Sequence, residues 1–245
     1  MRLLPILFFS TKVLGTTHQG NENFSESTRG TQCTTNSLLF LLKDAVARIS
    51  SPSEIDSLLL EGDELHAAFN AALGRKTGGR LAFDEIEQSI KHILQEDQTL
   101  LTFGPVLHGD VLGAQSNPPF VTVGEAIKQA SNATGALLRV GEYTTAVQIN
   151  TDDSVRLFDP HARDDSGFVS SDGTAVVIVL KDTVEFHAYL KRFVNTSGTG
   201  SSTDSCKPSV PDSKRSFELV PLFSTPEECL QILEKSITSP NNESR

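Results

Sequence analysis

Cysteine is scarce in this chain: there are three, Cys33, Cys206 and Cys229, an odd and widely spaced set. That spacing excludes a disulfide framework, and the lack of any C-x-x-C pair excludes a cysteine zinc site. Positive charge is also in deficit. Lys and Arg number 21 against 31 Asp and Glu, for a formal net charge of −10. Without a surplus of cations to displace counterions from phosphates, non-specific binding to nucleic acid or to an anionic membrane surface is not expected. No apolar run approaches the ~20 residues that cross a bilayer, and no internal repeat is present. What remains, with 38% apolar and 21% charged residues in 245, suits one globular domain of ordinary size with room for an appendage.

The N-terminus, "MRLLPILFFSTKVLG", holds a seven-residue apolar run from Leu3 to Phe9. It is signal-like only weakly: the run is short, Lys12 follows closely, and no A-x-A cleavage site is present. Four N-x-S/T sequons, at Asn23, Asn132, Asn195 and Asn242, fit secretion but arise by chance in a chain rich in Ser and Thr. The sparse cysteines point to a reducing, cytoplasmic compartment, with secretion as the alternative.

Hydrophobic periodicity divides the chain into a helical front and a strand-rich middle. Residues 34–49 repeat apolar side chains at helical spacing over a broad stripe, which predicts a central helix. A second helical region starts at Ser53 and is interrupted near Gly62, and "LAFDEIEQSIKHIL" predicts a third. "TLLTF" and "PVLHGDVLG" predict short strands before a Pro118–Pro119 loop, and "TVGEAIKQASN" predicts a helix with a capping box. "ALLRVG", "TTAVQIN" and "SVRLFD" predict three strands, the last two joined by an Asp-Asp turn, and the unbroken apolar run "TAVVIVL" a strand buried on both faces. A helix, "TVEFHAYLKRF", closes the domain near Val194. The next tract is rich in Ser, Thr, Gly and Pro and predicts a linker, followed by a short helix from "STPEECLQILEKSI" with Pro226 in its first turn. The plan is α+β. Its expected divisions are an N-terminal segment over 1–16, either signal-like or part of the core, the main domain over 17–194, and a linker with a short terminal helix over 195–245.

Cys33 lies where the central helix begins. There, unpaired backbone N–H groups and the positive end of the helix dipole stabilise a thiolate and make the sulfur nucleophilic; the plainer reading is a small apolar core residue. A thiolate nucleophile needs a proton carrier with an orienting partner. His18, His66, His92, His108 and His187 have no acid at an informative spacing and read as surface or satisfied histidines. His161 differs, because "RLFDPHAR" puts Asp159 two residues earlier at a strand end, on the same side of an extended chain. An acyl-transfer site also needs donors for an oxyanion. The Cys33 N–H is one; the side-chain donor is Gln19 or Gln32, and Gln19, arriving from a separate loop, has the easier geometry.

Together, "THQGNENFSESTRGTQCTTNSLLFLL", "GEAIKQA" and "VRLFDPHARDDSGFVSSDGTAVVIVL" resemble the herpesvirus large-tegument-type ubiquitin-specific cysteine protease domain and its relatives outside herpesviruses. The resemblance runs from about Thr17 to Phe193. It implies a variant papain-like α+β fold, with a helical N-terminal part packed on a mainly antiparallel sheet, and a thiol hydrolase acting on ubiquitin conjugates without a cofactor. In that scheme Cys33 is the nucleophile, His161 the general base and acid, Asp159 the orienting acid and Gln19 the oxyanion donor. A Cys33 thioester would form as the isopeptide bond after ubiquitin's C-terminal glycine is cleaved. The chain departs from the family at Pro160 and Ala162, where serine often flanks the histidine, and in having no tryptophan. The competing readings are a papain-like protease or acyltransferase with another substrate, and a catalytically silent binding or scaffold module.

Overall fold

The leucine-rich run that starts at Cys33 folds as helix α1 (Cys33–Val46), and ten consecutive residues, Cys33 to Leu42, are buried. A helix buried on all sides has to lie inside the molecule, between other layers. The computed structural model describes residues 11–75, 78–94, 100–113, 118–197 and 212–238, and in it α1 lies between a sheet and three more helices, α2 (Pro52–Ala72), α3 (Phe83–Leu94) and α7 (Pro226–Thr238). The remaining helices are α4 (Val123–Gln129), α5 (Thr183–Ser197) and the single turn α6 (Asp212–Arg215).

The strands are β1 (Thr11–Leu14), β2 (Thr102–Phe103), β3 (Leu107–Asp110), β4 (Gly135–Val140), β5 (Tyr143–Ile149), β6 (Val155–Arg163), β7 (Thr174–Leu180) and β8 (Ser216–Phe223). They pair antiparallel throughout, in the order β1-β7-β6-β5-β4-β8-β2, with β3 also on β8. Alternation along each strand feeds two cores. Leu137, Ala146, Phe158, Ala175 and Val177 face α1 and its neighbouring helices, and the Phe40 and Phe158 rings stack 4.7 Å apart. Leu138, Val147, Leu157, Val176 and Ile178 face the opposite layer, where α4 and α5 pack. The apolar run of β7 is thus buried on both faces, as its composition predicts. Asp153, at φ 64, turns the chain between β5 and β6; Asp tolerates that left-handed conformation better than most residues. The class is α+β, as expected. No helix among the described residues is long and apolar enough to cross a membrane.

Two expectations are corrected. The expected interruption near Gly62 is absent, because α2 runs unbroken from Pro52 to Ala72. Gly62 is buried, and a Cβ there would lie 1.8 Å from Asn36 Oδ1 of α1. The glycine therefore marks the closest approach of the two helices. The second correction concerns the expected linker and tail over 195–245. Ser216–Phe223 is strand β8, paired with β4 over six positions, Gly135 to Val140, and α7 packs on α1. Cys229 on α7 is fully buried, whereas Cys206 lies outside the described residues. Pro221 hides this strand from a sequence reading, since proline cannot donate to a sheet ladder. In the fold its carbonyl accepts from the Gly104 N–H at 2.7 Å, so the missing N–H faces the short β2 side and leaves the β4 ladder intact.

Overpacking a close helix crossing costs about 1–3 kcal/mol. Gly62→Ala is therefore expected to lower the unfolding free energy by that amount, read as a lower urea midpoint at an unchanged m-value. A midpoint equal to that of the parent would mean that the Asn36 side chain moves aside and the helix propensity gained with Ala offsets the cost that remains.

Candidate active site

Cys33 is the first residue of α1, and Gln32, at the cap position, makes no side-chain cap bond. The first turn also carries no acidic side chain. No side chain of the cap or the first turn therefore offsets the positive end of the helix, which stays available to a thiolate. The upstream chain is tied across the top of the sheet: the Ala175 N–H donates to Thr17 O at 2.7 Å and the Gln19 N–H to Pro160 O at 2.9 Å. The Gly30 N–H returns to Gln19 O at 3.1 Å with Gly30 at φ 75, a conformation glycine adopts without steric cost. These bonds place Gln19, the start of α1 and the end of β6 together.

At that end of β6, Asp159 is 1% exposed and its carboxylate is shared. Oδ1 accepts from the His161 N–H at 3.0 Å and faces His161 Nδ1 at 2.7 Å; Oδ2 accepts from Arg163 Nε at 2.6 Å. An ionised carboxylate can only accept, so Nδ1 carries its proton and Nε2 is left for the sulfur. The β6–β7 register shifts between Asp159 and Arg163. That irregularity lets residues 159, 161 and 163 converge on one carboxylate. Arg163 is itself buried, its guanidinium carbon 4.6 Å from the Tyr143 ring centre and 4.9 Å from that of Phe193. Tyr143 also meets the His161 ring edge-on at 5.0 Å, which fixes the imidazole plane.

The electrostatics follow from these contacts. Burial alone pushes the Cys33 thiol up, but a hydrogen bond to His161, the charge of that ring, and the Thr144 backbone and hydroxyl outweigh it, bringing the thiol from 9.0 down to about 7. Burial likewise opposes charge on His161, yet Asp159 and the Cys33 sulfur raise its pKa. Asp159 is held well below the usual carboxylate range: burial opposes its ionisation, and the Arg163 and His161 charges override it. Opposite charges at this range favour the charged form of each group.

The two glutamines are separated by their partners. Gln32 is fully buried and its amide nitrogen donates to Asp63 Oδ1 of α2 at 2.7 Å. Gln19 is 2% exposed, and neither atom of its amide has a hydrogen-bond partner among the described residues. The structure thus brings Cys33, His161 and Asp159 together, ties the Gln19 backbone to Pro160 while its amide has no partner among the described residues, and commits the Gln32 amide N–H to Asp63. Sequence reasoning missed Arg163, although the two-residue alternation through D-x-H-x-R already puts it on the side of the other two. It also missed Tyr143 and Thr144, whose strand gives no local sign of a site. His18 lies near enough for the His161 charge to add to the lowering of its pKa that burial causes.

A family model described as the herpesvirus tegument protein, N-terminal conserved region, matches residues 14–203. No curated protein matches the chain. Among solved structures, the ubiquitin-specific protease encoded by the murine cytomegalovirus tegument protein M48, in complex with a ubiquitin-based suicide substrate, is similar to it, with a TM-score of 0.63 and 17% identity, over 94% of this chain and 96% of that one. At that identity the likeness is one of fold, and it agrees with the variant papain-like α+β architecture expected from the sequence.

Removing one partner of a fully buried ion pair costs about 3–5 kcal/mol. Arg163→Met is accordingly expected to lose that much stability at pH 7 in chemical denaturation. The Asp159 carboxyl lies below its ordinary 3.8 in the folded state, so the stability it shares with Arg163 is present above that value and is lost as the pH falls below it. The deficit of the variant should narrow in acid; a deficit independent of pH would mean that the cost is one of packing alone.

Proposed function

We propose that this chain, which belongs to the herpesvirus tegument protein family defined by the N-terminal conserved region, is a thiol-dependent deubiquitinase that hydrolyses the isopeptide bond after the C-terminal glycine of ubiquitin. The observation that carries the proposal is a buried thiol at a helix start, brought down to about 7 by an imidazole whose far nitrogen is 2.7 Å from a carboxylate. That constellation serves acyl transfer through a thioester. The family membership and the fold shared with a ubiquitin-specific protease supply the substrate class.

The Cys33 thiolate adds to the carbonyl carbon of the scissile bond, and the electron pair moves onto the carbonyl oxygen. The Cys33 N–H and the Gln19 amide N–H stabilise that oxyanion. As the tetrahedral intermediate collapses, the C–N bond breaks and the His161 imidazolium gives its proton to the departing lysine amine. The product is a thioester between Cys33 and the ubiquitin glycine. His161, now neutral, takes a proton from water; the hydroxide adds to the thioester, the C–S bond breaks, and the free ubiquitin carboxylate leaves with the thiolate restored. Asp159 keeps Nδ1 protonated and Nε2 directed at the sulfur throughout. The net charge of −10 suits a partner whose recognition face mixes apolar and basic residues. Reduced thiols at Cys33 and Cys229 fit an intracellular site of action.

The test is a ubiquitin carrying a C-terminal electrophile, read as a mass shift on Cys33. A protease for another substrate leaves this probe unreacted, and a silent scaffold does the same. On a fluorogenic ubiquitin substrate, Gln19→Ala is expected to lower kcat by roughly a hundredfold or more with little change in KM, the scale of one lost oxyanion donor. Gln32→Ala should lower the thermal midpoint, through its lost bond to Asp63, more than it lowers kcat. The reverse pattern would move the oxyanion role to Gln32.

A further inference from the structure

His66 is the one fully buried histidine among the described residues that the reaction above does not use. It sits in the middle of α2, where its two ring nitrogens face hydroxyls on either side of the proposed nucleophile: Nε2 lies 3.2 Å from Thr31 Oγ1 and Nδ1 2.9 Å from Thr35 Oγ1. The Thr31 hydroxyl has a single proton, and it is committed to Thr28 O at 2.6 Å. Thr31 Oγ1 can therefore only accept from the ring, which puts the imidazole proton on Nε2 and makes Nδ1 the acceptor for the Thr35 hydroxyl. One ring thereby joins the residue two before Cys33 to the residue two after it.

The bridge is part of a polar face on α2. Asp63, one turn earlier, holds Gln32, and Asn70, one turn later, donates to the His66 carbonyl at 2.9 Å. Residues 63, 66 and 70 fall on one side of a helix, so a single face of α2 grips residues 31, 32 and 35. Burial is the main cause that lowers the His66 pKa, to about 4; Asp63 and a hydrogen bond to the Gly79 backbone oppose it, and Arg75 adds to it. The ring is therefore neutral at physiological pH.

We propose that His66 is a positioning residue for the nucleophile, and that its bridge between Thr31 and Thr35 fixes the first turn of α1 so that the Cys33 sulfur and the Cys33 N–H keep their places relative to His161. The role rests on the reading of Cys33 as the reactive thiol, and it is independent of what the substrate is. Two side chains divide the function of the ring. In His66→Asn the amide oxygen stands where Nδ1 stood and accepts from Thr35; in His66→Gln the amide nitrogen stands where Nε2–H stood and donates to Thr31. His66→Leu removes both.

The experiment is the rate of Cys33 alkylation by iodoacetamide as a function of pH in the free protein, with Cys33 identified by peptide mass. The parent should titrate near 7. In His66→Leu the loosened helix start should move the midpoint up toward the ordinary thiol value of 9.0, with about tenfold less thiolate at pH 6 for each unit of rise. His66→Asn and His66→Gln should fall between Leu and the parent. If the Leu variant does not fold, the displacement of the Asn and Gln midpoints above the parent's decides alone. Profiles that coincide with the parent, whatever the thermal midpoints, overturn the proposal, because a merely structural histidine lowers stability without moving the titration of a neighbouring thiol. Since iodoacetamide needs no ubiquitin, the role of His66 is tested even in a chain that ignores the ubiquitin electrophile.

Discussion

The site depends on one carboxylate and on how it is shared. Asp159 is buried, and an unpaired ion there would be expensive enough to neutralise itself. It stays charged because Arg163 occupies one oxygen and His161 the other. Arg163 in turn is tolerated inside the protein because it has that carboxylate and lies between the Tyr143 and Phe193 rings. Each group is the condition for its neighbour, and the line ends at the sulfur of Cys33, where the accumulated bias appears as a thiol titrating near 7.

The fold delivers this line from separate parts of the chain. The register shift in β6 turns three alternate residues onto one carboxylate. Tyr143 and Thr144 arrive on β5, which is held by β4, and β4 is completed on its other side by β8. The C-terminal strand is thus two strands from the site and a structural part of it. On the helical side, α2 supports the start of α1 through Asp63 and His66, so the residues on both sides of Cys33 are held by α2 as well.

Much of this is legible in the sequence where one local pattern carries the signal. The broad apolar stripe after Cys33 marks the central helix, the unbroken run Thr174–Leu180 a strand covered on both faces, and D-x-H at a strand end an oriented imidazole. What is not legible depends on partners distant in sequence. Pro221 makes β8 read as a break, and only the pairing with Gly104 shows that its missing N–H falls on the short side. Gly62 reads as an interruption until Asn36 is placed against it. Gln19 and Gln32 are equivalent as letters; Asp63, thirty-one residues beyond Gln32, separates them. Arg163 stands in plain view in the same alternating pattern, and its role becomes apparent only once the two rings that receive it are known.

The central claim is that this arrangement stores a thiolate–imidazolium pair at Cys33 and His161, and nitrogen-15 NMR of the labelled histidine ring reads it directly. The ring of His161 is expected to lose its second proton at a higher pH in the parent protein than in Cys33→Ser, because the sulfur is one of the groups that raise its pKa. A ring that titrates at the same pH or lower in the parent than in Cys33→Ser would contradict the claim.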